Sequence, residues 1–481
     1  MTLHAASGDP TQSADSVADE HRVGTSDLHV PGGRFRQYLL VYGLAVLGSF
    51  VALSAMSSIL LPNQIQLLEV GHYFKGADAG LDLTALTDLK AEVASGAITP
   101  TAEQARELGL LGAYEAARAE SLSIASALGI LATLVIQPIV GTLSDRTRSR
   151  FGRRAPWILC GSIVGALSIV GLRYASTIPL VIAFTALASL MINVALGPLN
   201  TTVADRVPPS RRGIASALQG LGLLLGAAIG AILASVLFAT IGLDAYLPLA
   251  IVLALFGIQF VLAARDRSSK LLEIEPLQWG VLLRGFIEPL RAHDFRWAWI
   301  ARAIILFGYS ISTAFSLYML QSYVQPALSA EEATATAPLL AIALVPAAVI
   351  GIVVSGPLSD RLQRRKVFVI SASVLMAVSF LIPFAWPTVT AMIAQVLIGG
   401  LAFGVFIAVD AALFLDVLPN KLTVGRDLGM AAVATNLGQA IAPLVAGQIV
   451  AITGSYSLVW IASTVIVLIA AVAIIPIKSV R

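Results

Sequence analysis

A single cysteine in 481 residues, Cys160, leaves no intramolecular disulfide to stabilise this chain. Charge is scarce too: Asp, Glu, Lys and Arg make up 12% of the residues, against 57% hydrophobic. Mean hydropathy is +0.85, too apolar for a water-soluble domain and suited to a polytopic membrane protein. The five histidines, His4, His21, His29, His72 and His293, do not converge on a membrane-level site. No HExxH, GxSxG or P-loop string occurs, so the usual residues of metalloprotease, esterase and nucleotide-driven chemistry are missing. An enzyme is therefore not expected, and neither a metal nor a cofactor. Residues 1–35 have no apolar core run and read as a disordered tail, not a signal peptide. Insertion is then expected to start at the first internal span. Cys160 lies in an apolar segment and is expected simply to pack.

What the chain does carry is a duplication. Gly141-Thr142-Leu143-Ser144-Asp145-Arg146 recurs 215 residues later as Gly356-Pro357-Leu358-Ser359-Asp360-Arg361. Each copy ends an apolar run and opens a basic loop. A second pair, Asp205-Arg206-Val207-Pro208 and Asp416-Val417-Leu418-Pro419, lies 211 apart. Both members precede an Arg and a Gly, namely Arg212-Gly213 and Arg426 with Gly429. Two motifs at nearly one offset imply two related membrane halves, the usual hardware of alternating access.

Stretches long enough to cross a roughly 30 Å core fall near 37–62, 121–142, 156–175, 178–204, 213–240 and 243–264. Six more fall near 297–323, 336–358, 367–386, 388–415, 428–452 and 456–477. An all-α membrane protein of twelve spans follows, with bundles at 36–264 and 297–481 and a cytoplasmic linker at 265–296. With both termini cytoplasmic, 26 of the 31 Lys and Arg lie inside, which satisfies the positive-inside rule. Trp386 and Trp460 near outer ends suit an aromatic belt. Residues 63–120 form an extracytoplasmic insert with nine carboxylates against four basic residues. It reads as short amphipathic helices, a solvated elaboration or alternatively a lid over the outer mouth. Thr101-Ala102-Glu103-Gln104 offers a capping box there. Residues 277–290 read as a surface-lying amphipathic helix joining the halves.

The string Ser144-Asp145-Arg146-Thr147-Arg148-Ser149-Arg150-Phe151-Gly152-Arg153-Arg154-Ala155-Pro156-Trp157 resembles the loop 2–3 signature of the major facilitator superfamily. Its extended form is most similar to the sucrose–proton symporters and the wider glycoside–pentoside–hexuronide cation symporters. The resemblance covers roughly residues 35–478 and implies a gating role for Gly141, Asp145, Arg146, Arg153, Arg154, Asp205 and Arg212. By symmetry it implies the same for Gly356, Asp360, Arg361, Asp416 and Arg426. Gly141 and Gly356 are expected to admit a close neighbouring helix. Asp145 and Asp360 are expected at the amide ends of helices in the opposite half, near Gly429 and Gly213. Arg146 and Arg361 are then expected to pair with Asp205 and Asp416 and latch the cytoplasmic side.

In this architecture spans 1, 4, 7 and 10 line the cavity, with 3, 6, 9 and 12 outside. Span 7 supports this: Arg302, Tyr309, Ser316 and Tyr323 recur at seven-residue steps and form one polar and aromatic face. Asn193 and Asn200 on span 4, Gln219 on span 5, and Asn436 with Gln439 on span 11 complete the substrate-binding candidates. Neutral hydroxyls, amides and aromatics suit a polyhydroxyl ligand; the alternative is interhelical glue. Asp410 is the carboxylate set well within an apolar span, which costs about 2.5–3.5 kcal/mol unless paired. Arg302 lies at a comparable depth. The two are candidates for proton coupling, or for a static inner gate.

Span 2 has no acid between Ser121 and Val140, unlike the sodium-coupled members of the branch, so a sodium site is not expected. The expected function is uptake of a glycoside or small oligosaccharide by proton symport in the plasma membrane. The partners are a small-molecule substrate, protons and lipid, with no nucleic acid, and the chain is expected to be a monomer. The rivals are a facilitator or exporter of another neutral metabolite and a transporter-like membrane sensor.

Overall fold

The computed structural model describes residues 32–208, 211–270, 288–418 and 424–479, with the backbone alone over 424–428. The expected tail lies almost wholly outside the described residues. So does most of the expected amphipathic helix at 277–290, whose last residues enter a single 3-10 turn, Glu288–Arg291.

Backbone polar groups cannot stay unpaired in hydrocarbon, so an apolar chain of this kind folds into helices. No strand occurs among the described residues. The first span is α1 (Gly33–Ala55) and α2 (Leu61–Tyr73), continuous through a π-turn at Met56–Leu60. After the short α3 (Leu83–Ala94) come α4 (Ala102–Asp145), α5 (Ala155–Tyr174), α6 (Ile178–Arg206), α7 (Arg212–Ile241) and α8 (Tyr246–Ala263), which are spans 2 to 6. Span 7 is α9 (His293–Thr313) plus α10 (Ser316–Ser322), bent by 40°. Spans 8 to 12 are α11 (Ala330–Leu362), α12 (Arg365–Ala385), α13 (Val389–Asp416), α14 (Val424–Thr453) and α15 (Ser457–Ala473). The predominantly apolar stretch Arg212–Ala263 runs for 52 residues, long enough to cross twice, and turns at Gly242–Ala245. Gly242, at φ +58°, takes a turn conformation that a side chain would strain. Both ends of the stretch return to one loop, because Arg212 donates to Val207 O and Arg206 to Ala264 O.

The packing repeats. In the first half span 1 lies on 5 and 6, span 2 on 4, and span 3 on 4 and 6; in the second, 7 lies on 11 and 12, 8 on 10, and 9 on 10 and 12. The halves meet where span 2 touches 11 and span 5 touches 8, a twofold relation. Both Ser-Asp-Arg strings end helices, α4 and α11, that start beside the insert. They therefore share the opposite face, called here the arginine face.

Span 5 approaches span 1 through Gly222, Gly226 and Gly230, one face at four-residue spacing. A Cβ on Gly230 would sit 2.5 Å from the Val51 carbonyl oxygen. Backbone cannot yield as a side-chain tip does, so Gly230→Ala should cost about 1–3 kcal/mol. Gly213→Ala, where a Cβ meets nothing within 4 Å, should be neutral or slightly stabilising. Thermal unfolding in detergent measures both; equal melting temperatures would contradict the packing.

The insert combines a short helix with the ends of two long ones. The helices of spans 1 and 2 extend into it, and Phe74, Leu86, Leu111 and Tyr114 form a separate small core. The Thr101–Gln104 capping box is present with both reciprocal hydrogen bonds. A second box, Ser329 with Glu332, opens span 8 at the equivalent position. At the insert's rim Arg106 chelates Asp78 through two bonds of 3.0 and 2.7 Å and holds that carboxyl below its ordinary range.

Candidate functional site

On the arginine face each half builds one acid–base cluster from its own residues. Arg154, the residue that leads into α5, pairs with Asp145 and also with Asp205 at 3.1 Å, while Arg153 meets Asp205 at 2.6 Å. In the second half Arg365, the first residue of α12, bridges Asp360 at 3.1 Å and Asp416 at 2.6 Å. This corrects the expected pairing, since these residues take the positions given to Arg146 and Arg361. The reason is local: a helix start sets the guanidinium between the two preceding helix ends, whereas Arg146 and Arg361 sit at helix C-termini. Arg361 is exposed with no ion pair among the described residues. Arg212 caps the carbonyls of Val207 and Ala204, and the side chain of Arg426 lies outside the described residues. Among the described residues the expected close approach at Gly141 and Gly356 is also absent: a Cβ at either, or at Gly213 or Gly429, meets none of their atoms within 4 Å.

Between the halves lies a cavity of about 200 Å³. Span 1 brings Ser54, Ser57 and Ser58 to it at the π-turn. That turn has a sequence cause. Ser58 Oγ returns to Ser54 O at 2.7 Å, and Pro62 has no N–H for the Ser58 carbonyl; both loosen the helical ladder. Such π-turns recur at functional positions. Span 7 brings Tyr309, Ser312, Thr313 and Ser316 at its break. There Ser312 and Thr313 compete for Tyr309 O, and Ser316 takes Thr313 O. Span 10 adds Gln395, and span 12 adds Trp460, whose buried indole Nε1 has no hydrogen-bond partner among the described residues. Among the described residues no charged side chain lines the cavity.

Three expectations change here. The lining comes from spans 1, 5, 7, 8 and 10 with one residue each from 2 and 12, and none from span 4. Trp460 is 1% exposed, so it belongs to the interior and not to an aromatic belt. The break also ends the continuous polar face of span 7, and Tyr323 instead donates to Pro383 O.

Of the seven substrate candidates, Tyr309 and Ser316 line the cavity and the five amides do not. Asn200 accepts from Tyr42, Asn193 donates back to Ser189 O, and Asn436 donates across the halves to Gln137. Gln219 and Gln439 are half-buried away from it. Of these amides, Asn200 and Asn436 tie one helix to another, while Asn193 bonds within its own. Ser54, Ser57, Ser58 and Gln395 were not singled out from sequence. The Ser57-Ser58 pair followed by Pro62 is the signal that marked the spot.

Arg302 and Asp410 do meet, at 3.0 Å, with Asp410 buried. Arg302 also donates to Thr435 and lies 5.1 Å over the Phe414 ring. The triad joins spans 7, 10 and 11 within one half.

The insert face is sealed. Arg118, 2% exposed, donates to Gln321 Oε1 at 2.8 Å and Ser322 Oγ at 2.5 Å across the halves, with its guanidinium 4.4 Å from the Tyr318 ring. Tyr318 donates to Pro62 O, Asn63 to Thr334, and Lys90 to Glu115 and Gly454 O. The insert therefore interlocks with the second half.

The sequence aligns with the general alpha-glucoside permease of Schizosaccharomyces pombe at 36% identity over 88 residues, 18% of this chain and 16% of that protein. It aligns with sucrose transport protein SUC3 of Arabidopsis thaliana at 29% over 125 residues, 21% of each. The chain thus spans about a fifth of the length of these relatives. The crystal structure of a D-xylose-proton symporter superposes with a TM-score of 0.64 at 13% identity, covering 93% of this chain and 98% of that one. A bacterial homologue of the human lysosomal transporter Spinster gives 0.63 at 12%, covering 94% and 98%. These likenesses speak to the fold. The profile described as Major Facilitator Superfamily matches residues 38–345 and 298–480. With the duplicated halves and the paired Ser-Asp-Arg clusters at one face, this match means that the chain belongs to the Major Facilitator Superfamily.

Proposed function

We propose that the protein moves a glycoside or small oligosaccharide across the plasma membrane by alternating access, with the arginine face cytoplasmic. The observation that carries this reading is the uncharged cavity where the serines of span 1 face the broken span 7. Hydroxyls and an amide donate and accept toward sugar hydroxyls, while Tyr309 and Trp460 offer flat apolar surface for a ring face. At about 200 Å³ the cavity lies below the roughly 300–1,000 Å³ usual for drug-sized ligands and suits one sugar ring. A longer substrate needs the halves to part further. The names of the permease and sucrose relatives point the same way.

Proton symport is the favoured mode, with Asp410 and Arg302 as coupling groups and Tyr309 and Ser316 as substrate contacts. The Asp145–Arg154–Asp205 and Asp360–Arg365–Asp416 clusters are read as hinges that keep each half rigid while the halves rock. Both termini are placed in the cytoplasm and the chain acts as a monomer. A facilitator of the same substrate class is the second reading, favoured by the absence of a carboxylate from the cavity lining.

Purified protein in proteoliposomes, offered labelled mono- and disaccharides with and without an imposed pH gradient, tests both. Symport predicts accumulation above the external concentration only with the gradient. A facilitator equilibrates and stops. No specific uptake of any sugar would refute the substrate class.

A further inference from the structure

Spans 3 and 6 leave a groove of about 1,000 Å³ between them, next to the arginine face. Its walls are apolar, with Leu159 and Ile163 from α5 and Ile258 and Leu262 from α8. Its mouth is basic, formed by Arg150 and Arg265. Neither arginine has a carboxylate partner among the described residues; Arg150 lies 4.6 Å over the exposed ring of Phe151. The acid at the mouth, Asp266, is engaged inward: it pairs with Arg206 at 3.4 Å and accepts from the Arg267 amide, and its side chain is 6% exposed. Among the described residues the mouth therefore carries net positive charge, beside the arginine-face ends of spans 3 and 6.

The platform is built. Ser269 N donates to Ser149 O at 2.9 Å, Ser149 N to Ser269 Oγ at 3.0 Å, and Ser269 Oγ to Thr147 O at 2.8 Å. These bonds fix the loop after span 2 to the chain leaving span 6, and so set the spacing of Arg150 and Arg265. The corresponding corner of the second half differs, because Lys366 there caps the carbonyls of Ile475 and Ile477.

We propose that this groove binds one anionic phospholipid of the arginine-face leaflet, its phosphate held by Arg150 and Arg265 and its chains laid along spans 3 and 6. Bare apolar walls would accept any lipid, so the arginines supply the selectivity. Basic groups at a membrane surface favour anionic lipid by about fivefold each, and a guanidinium fork matches phosphate geometry. The headgroup rests on the loop that also presents Arg153 and Arg154 to Asp205, so its occupancy stiffens that cluster. The inference does not depend on which substrate is carried.

The test is native mass spectrometry of the full chain in detergent with equimolar phosphatidylglycerol and phosphatidylcholine of identical chains. The first lipid retained should favour phosphatidylglycerol by about tenfold or more. Arg150→Gln with Arg265→Gln should bring the ratio to about one, and Arg364→Gln should leave it unchanged. Millimolar glycerol phosphate should not displace the lipid; displacement would mean a bare phosphate site and overturn the proposal. A photoreactive phosphatidylglycerol on the unmodified protein keeps the test independent of variants: crosslinks should map to α5 and α8. Equal retention of both lipids, a ratio unmoved by the double variant, or crosslinks elsewhere would each refute it.

Discussion

Replacing Arg118 by Met should open the insert face. The guanidinium is almost wholly buried and reaches from span 2 to Gln321 and Ser322 of span 7, with Tyr114 and Tyr318 on either side. Every one of its acceptors in the second half is lost if the halves part at this end. Truncation leaves Gln321 Oε1 and Ser322 Oγ without their donor, beside a Gln321 Nε2 that already has no partner among the described residues. Hydrogen bonds to a charged group are worth about 1.5–3 kcal/mol each, and buried polar atoms left unmade cost in full. Against this stands the relief of no longer burying a charge. The local acids reduce that relief: Glu115 is held by Lys90 and Glu69 by Ser121, in the same low-dielectric pocket. A net shift of about 1.4–3 kcal/mol toward the open insert face follows, roughly 10- to 150-fold in population. Ser57→Cys, with Cys160→Ser to silence the native thiol, reports it. Maleimide added at the insert side should modify residue 57 at least about tenfold faster in Arg118→Met. Arg118→Lys should fall between, because a compact ammonium keeps the charge and its donors but loses the planar fork that is pre-set toward both Gln321 and Ser322. An unchanged rate would show that the seal does not rest on Arg118.

The places where the sequence was readable share one property: the signal was local or repeated. Thr101 and Gln104 cap a helix they belong to, so spacing alone identifies the bonds. The twin Ser-Asp-Arg strings identify two related halves without any knowledge of how those halves touch. Span positions follow from apolar length, which is why the short insert and the long helices that flow into it were harder to separate. Glu115 and Arg118 look like residues of a solvated helix until the second half is packed against them. The pairing of Arg154 and Arg365 was hidden for a related reason. Arg154 follows Asp145 by nine positions but Arg365 follows Asp360 by only five, so no common spacing marks them. What they share is a place at the start of the next helix. The amides Asn193, Asn200 and Asn436 are chemically equal to sugar ligands, and only depth along the span distinguishes glue from lining. Ser57 and Ser58 gain their importance from a π-turn that apolar periodicity does not register.

Asp410→Asn should separate energy coupling from translocation. Asp410 contacts Arg302 at 3.0 Å, and the guanidinium is itself shared with Thr435. A carboxylate this buried persists only through that partner or a proton. On the symport reading, the proton enters when the pair separates, and Asn cannot take it. For one proton per substrate the accumulation limit is about tenfold per pH unit of gradient. In Asp410→Asn that ratio should fall to one, while exchange of labelled for unlabelled sugar stays within about threefold, since Asn still accepts from Arg302. The reverse truncation is harsher. Arg302→Met leaves the carboxylate buried and unpaired, which costs about 3–5 kcal/mol, so folded yield and melting temperature should drop. Joining Arg302→Met to Asp410→Asn should recover most of that loss, because neither charge then remains. Gradient-driven accumulation that survives Asp410→Asn, with the double variant still rescuing stability, would instead identify the pair as a static tie between spans 7 and 10. The pH dependence of uptake would then have to arise outside it.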